Sequence, residues 1–158
     1  MTVAGDRRYG TASVEERAKP GLEFVRGLVD GRLPLNTMAR AMGYDVVEAT
    51  EGRVVVSAVP TAELLNPEGT VHGGFAATLL DAAMGLAIRT RLAAGIGSTT
   101  LEFKVTFMRP ITPETGLVRG EGVVLGVGRR VGSAEGRLTD GSGKLLVHAT
   151  TSCLIFDR

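Results

Sequence analysis

The chain has 158 residues, enough for one domain with a real core. Lys and Arg number 18 against 17 Asp and Glu, a net charge of +1, which gives no electrostatic case for a nucleic-acid or anionic-membrane partner. The one cysteine, Cys153, excludes a disulfide framework and a multi-cysteine metal site. The opening residues, Met1 to Pro20, hold no apolar stretch of the kind a signal peptide needs, so a soluble cytoplasmic protein is expected. The 22 glycines stand beside a normal apolar content of 44%, which points to turns and close backbone approaches rather than disorder.

Residues 1–19 are polar and charged without periodicity and are expected to form a loose, flexible N-terminal arm; residues 20–158 form the single domain. From Gly21 to Asp30 the apolar residues Leu22, Val25, Leu28 and Val29 fall at helical spacing, and Gly31 and Pro34 end that short helix. Thr37 to Ala41 add a turn. At Tyr44 the period changes. Tyr44 to Ala49 and Arg53 to Val59 are rich in valine and flank Glu51-Gly52, a hairpin signal. Pro60 and Pro67 bracket a loop that runs to Thr70.

Gly73 to Ile88 then reads GGFAATLLDAAMGLAI, with Asp81 its only charge. A surface helix shows a polar face at every turn, and this stretch shows none, so it predicts a helix buried nearly all round, starting near Thr70 or His72 and ending between Arg89 and Ala94. It is too short and too interrupted for a membrane span. Asp81 is the anomaly. Aspartate is a poor mid-helix residue, and an unpaired buried carboxylate is costly.

Four strands follow: Ser98 to Met108, Leu117 to Leu125, Arg129 to Leu138 and Lys144 to Phe156. In the first, strict alternation puts Leu101, Phe103, Val105 and Phe107 on one face and Glu102, Lys104 and Thr106 on the other. The same parity makes Thr100 an ordinary strand residue. Asp140 to Gly143 is a hairpin turn. In the last strand Leu145, Val147, Ala149, Thr151, Cys153 and Ile155 share a face, with His148 opposite; neither His148 nor Cys153 is given a role. Gly120 and Gly122 share a strand face, as do Gly132, Ala134 and Gly136. Small residues there let a helix backbone come close, so the small-residue helix is placed on that face. The result is an α+β fold, a long antiparallel sheet curled round one central helix.

Asn66-Pro67, His72-Gly73-Gly74 and Asp81, followed by a strand that ends Phe107-Met108-Arg109-Pro110, resemble the hotdog-fold acyl-CoA thioesterases, in particular the PaaI-type group related to the 4-hydroxybenzoyl-CoA thioesterases. The similarity runs from Met38 to Ile155. It implies a hotdog dimer, often paired into a homotetramer, with active sites shared across the subunit interface. It implies hydrolysis of an acyl-CoA thioester without metal or prosthetic group, coenzyme A being part of the substrate. By position, Asp81 matches the catalytic carboxylate, as base or nucleophile. Gly73 matches the residue whose N–H polarises the thioester carbonyl, with Gly74 beside it. Asn66 and His72 match the neighbouring polar pair, and Thr100 or Thr99 matches an assisting hydroxyl.

The chemistry stands on its own terms. The start of a helix offers free N–H groups and a positive dipole end, which suit an oxyanion. Glycine there lets a carbonyl approach the backbone. A carboxylate to activate water completes a minimal hydrolase. Because CoA carries phosphates, Arg109, Arg129 and Arg130, at a strand end and a turn, are candidates to bind them. Small aromatic acyl groups such as phenylacetyl, and medium-chain acyl groups, are both compatible with the resemblance. Two other readings compete. A hotdog hydratase or dehydratase would follow its His with a different loop and carry its acid elsewhere. A non-catalytic acyl-CoA sensor would carry a DNA-binding segment in front, for which the N-terminal arm is too short and too neutral.

Overall fold

A computed structural model describes residues 7–158. Its six strands are β1 (Tyr44–Thr50), β2 (Arg53–Ala58), β3 (Ile96–Phe107), β4 (Val118–Val127), β5 (Val131–Thr139) and β6 (Leu145–Asp157). They form one antiparallel sheet in the order β1-β2-β4-β5-β6-β3. Four helices accompany them: α1 (Val14–Arg17), α2 (Gly21–Val29), α3 (Thr37–Met42) and α4 (Gly73–Arg89). Helix α4 touches all six strands, so the sheet must curve round it. The α+β architecture expected from the sequence is the one observed.

Helix α4 takes its place for steric reasons. Phe75, Leu79, Leu80, Met84 and Ile88 project into the sheet and are at most 2% exposed. Burying each large side chain of this kind contributes about 1.5–3 kcal/mol. The helix backbone can come close because β4 and β5 present glycine. A β-carbon on Gly122 would lie 2.4 Å from the carbonyl carbon and oxygen of Ala83, and one on Gly132 would lie 2.9 Å from Ile88 Cγ2. At the far end, the Thr90 hydroxyl donates to the Ala87 carbonyl at 2.6 Å and accepts from the Gly52 N–H at 2.7 Å. That bond ties the β1–β2 turn, where Gly52 has φ +76°, to the end of the helix.

Four expectations are corrected. Helix α4 is not buried all round within one chain. Gly73, Gly74, Ala77, Thr78, Asp81, Ala82, Gly85 and Leu86 form a stripe at helical spacing that is only partly covered, because the sheet wraps the opposite side. The N-terminal stretch is not loose from residue 7 onward. Arg7 pairs with Asp45 at 2.6 Å and donates to the Leu28 carbonyl at 2.7 Å, Tyr9 bridges to Leu35, and Ser13 caps α1 with a reciprocal bond to Glu16. Residues 1–6 of the expected arm lie outside the described residues. In β6 the inward face begins at Leu146 rather than Leu145, because the pairing with β5 shifts at Leu138 and Thr139. Finally, β3 does not alternate strictly. Thr100 pairs with Cys153 and Glu102 with the adjacent Ser152, so Leu101 is an extra residue in the strand.

Candidate active site

The bulge at Leu101 decides where Thr100 points. Beyond it, Phe103, Val105 and Phe107 stand opposite Thr151, Ala149 and Val147, the inward face of β6. Strict alternation would put Thr100 on the outer face with Glu102. The extra residue reverses the phase, and Thr100 stands opposite Cys153, inward. Its hydroxyl donates to Asp81 Oδ1 at 2.8 Å. Thr99, one position earlier, is exposed.

Asp81 therefore has a partner but is not enclosed. It is half-buried and opens into a hollow of about 330 Å³ between α4, the start of β3 and the N-terminal helices. Cys153 lines the same hollow, and burial pushes its thiol up, against the opposing hydrogen bonds from Thr100 and Thr151. A thiol so held is a poor nucleophile at neutral pH.

The second polar group gathers at the start of α4. His72 is the N-cap, and its Nδ1 accepts from the Gly74 N–H at 3.0 Å. That bond fixes the neutral ring with its proton on Nε2. The Gly73 N–H has no hydrogen-bond partner among the described residues. It sits at the positive end of a 17-residue helix. A β-carbon on Gly73 would lie 2.8 Å from the Phe107 ring, so glycine is also what lets the strand end pack here. Asn66 folds its loop: its Oδ1 accepts from the Glu68 and Thr70 N–H groups, and its Nδ2 donates to the Thr70 hydroxyl at 2.8 Å. Asn66, His72, Gly73, Phe107 and Arg109 line one cleft of about 390 Å³.

The remaining arginines divide. Arg109 borders that cleft and donates to the Leu145 carbonyl. Arg129 and Arg130 border a separate hollow of about 530 Å³ beside Arg91, just past the other end of α4. The structure thus does not bring the three together within one chain. Among the described residues no cluster of three or more His, Cys, Asp or Glu side chains could hold a metal ion, and no helix is long and apolar enough to cross a membrane.

One buried group lay outside the sequence reading. Arg89, two turns beyond Asp81, is 6% exposed and borders the Asp81 hollow. Its signal was visible in the sequence as the next charge after Asp81 in an otherwise uncharged helix, but it reads there only as a helix end.

Asp81 and Gly73 are eight positions apart on one helix. At 1.5 Å per residue that is about 12 Å along the axis, with about 80° of rotation between them. Each faces a different hollow. Within one chain the acid and the free N–H do not converge.

A protein-family model of the thioesterase superfamily matches residues 68–147, from the loop before α4 into β6. The acyl-coenzyme A thioesterase PaaI of Escherichia coli K12 is 34% identical over 91 residues, 56% of this chain and 65% of that protein. A candidate esterase of Halobacterium salinarum is 35% identical over 99 residues, 60% of this chain and 64% of that protein. The matched region thus spans just under two thirds of the length of these curated relatives. Among solved structures, a phenylacetic acid degradation-related protein of Ralstonia eutropha superposes with a TM-score of 0.74 at 29% identity, over 82% of this chain and 98% of that one. The family match covers half of the sequence and contains both the helix and the strand that build the site, and the chain belongs to the thioesterase superfamily.

Proposed function

We propose that the protein hydrolyses acyl-CoA thioesters at a site completed by a second copy of the chain. One observation carries this reading. The chain holds two half-sites of opposite chemical character, a carboxylate with a hydroxyl partner and a helix-start N–H without one, about 12 Å apart along one helix and opening to different hollows. A second copy, packed across the open stripe of α4 and the edge strand β3, would set Asp81 of each chain against Gly73 of the other.

The edge strand supports such pairing. β3 is the outermost strand on its side, 12 residues long, and leaves Leu101, Phe103 and Phe107 39–57% exposed. A long apolar edge is an aggregation hazard unless it is covered. Dimers built in this way pair further into a tetramer in our reading.

The reaction follows from the groups. The thioester carbonyl oxygen rests on the Gly73 N–H. Asp81 Oδ1 is held by Thr100, and Oδ2 takes a proton from water as the water oxygen bonds to the carbonyl carbon. The N–H and the helix dipole stabilise the resulting oxyanion. Its collapse breaks the C–S bond, and coenzyme A leaves as a thiolate that takes up the proton. His72 acts by holding the first turn rather than by exchanging protons. Arg109, which borders the Gly73 cleft, would meet a CoA phosphate, and Arg129 and Arg130 would join it only from the partner copy. The acyl group is small aromatic or medium-chain in this reading.

Thiol release from a panel of acyl-CoAs tests the proposal. Asp81→Asn should lower turnover by about 10²–10⁴-fold, the usual contribution of a general base. Fold and oligomeric state should be unchanged. Unaltered turnover in Asp81→Asn would overturn it, as would enoyl-CoA hydration in place of hydrolysis.

A further inference from the structure

Arg89 is the least satisfied charge among the described residues. Its side chain is fixed on two sides. One nitrogen, Nη2, donates to the Arg17 carbonyl at 2.6 Å, and the guanidinium carbon lies 4.3 Å from the centroid of the Phe24 ring. The other two nitrogens, Nε and Nη1, are buried without any hydrogen-bond partner. No carboxylate pairs with Arg89, nor with Arg17 or Arg158, among the described residues. A buried cation left in this state is expensive, by far more than an exposed one. Burial, with added repulsion from Arg158 and Arg17, brings the Arg89 guanidinium down to about 10, so it is still charged at neutral pH.

These groups share one space with the acid of the proposed site. Arg17, Phe24, Asp81, Leu86, Thr100 and Arg158 all border the hollow that Arg89 borders. Asp81 and Arg89 are eight residues apart on α4, about 12 Å along its axis, with Leu86 between them on the same helix and Phe24 against the Arg89 guanidinium. A ligand that fits this order has a reacting carbonyl at one end, a short apolar middle and an anion at the far end. A guanidinium pairs strongly with a carboxylate, and Arg17 and Arg158 add two further cations to the border of the same hollow.

We propose that Arg89, with Arg17 and Arg158, selects an acyl group that ends in a carboxylate, so that the substrate is the mono-CoA thioester of a dicarboxylic acid. This rests on the thioesterase reading and narrows its acyl half. The coenzyme half plays no part in it, because CoA phosphates are common to every substrate compared.

The test pairs two CoA thioesters of equal chain length, one ending in a methyl group and one in a carboxylate. Wild-type protein should cleave the carboxylated member with at least about tenfold higher kcat/KM, the scale of one hydrogen-bonded charge. Equal rates for the two would overturn the proposal. In Arg89→Met, which keeps an apolar stem against Phe24, the preference should vanish through loss of the carboxylated substrate alone. An equal fall for both substrates would mean that Arg89 is only structural. Should that variant fail to fold, Arg158→Gln, at an exposed position, decides: a reduced preference supports the proposal and an unchanged one contradicts it. The two readings fail separately. Asp81-dependent cleavage without preference leaves the hydrolase and removes this site. Tighter binding of a carboxylated thioether analogue than of its methyl counterpart, lost in Arg89→Met, with no thioester cut, keeps this site and removes the hydrolase.

Discussion

Thr100 owes its place beside Asp81 to a single extra residue in its strand. Removing its hydroxyl should cost the charged hydrogen bond, about 1.5–3 kcal/mol, which corresponds to about 10- to 100-fold in turnover. Thr100→Val is expected to lower kcat in that range with little change in thermal stability, whereas Thr99→Val at the exposed neighbour should leave kcat alone. Steady-state kinetics of the two variants separates them. His72 belongs to a different kind of role. Its ring caps α4, so His72→Ala should lower unfolding stability by about 0.5–2 kcal/mol, and His72→Asn, which can also cap, should recover most of that. A denaturant titration reads both. At this scale the sequence was partly legible. A lone carboxylate in an apolar helix announced itself because the cost of burying it has to be met. The choice between Thr99 and Thr100 did not, because a bulge leaves no mark in an alternation pattern until the pairing strand is known.

The elements meet through glycine. On β4, a β-carbon on Gly122 would lie 2.4 Å from the Ala83 backbone of the helix, while one on Gly126, four residues on, would meet nothing within 4 Å. Gly122→Ala should therefore force the helix off the sheet and cost about 1–3 kcal/mol or more, and Gly126→Ala should be close to neutral. Equal effects in a chemical unfolding experiment would contradict this packing. The position of α4 over β4 and β5 was readable in advance, since paired small residues on a strand face have few other uses. The open stripe of α4 was not readable. Gly74, Ala77, Ala82 and Gly85 are small and apolar enough to lie against a sheet, a second helix or a partner chain, and composition alone does not separate these. The sheet fills one side of the helix, and the stripe is what geometry leaves over.

For the whole molecule the same stripe and the apolar edge of β3 point outward together, as two halves of a surface that a second copy would cover. Leu101, 57% exposed on that edge, is a place to disturb it. Leu101→Lys should shift the protein toward monomer in sedimentation or light scattering and lower turnover in parallel, because a charge on an edge strand blocks pairing. Dimerisation with full loss of activity, or activity in a proven monomer, would separate assembly from catalysis. The division of labour within α4 makes a sharper demand. If Asp81 of each chain serves Gly73 of the other, two inactive variants repair one another. The direct measurement is thiol release from a purified heterodimer of Asp81→Asn and Gly73→Val chains. Each parent homodimer should be inactive. The heterodimer carries both defects in one site and none in the other, so activity should return to it. A heterodimer as inactive as its parents would contradict the shared site.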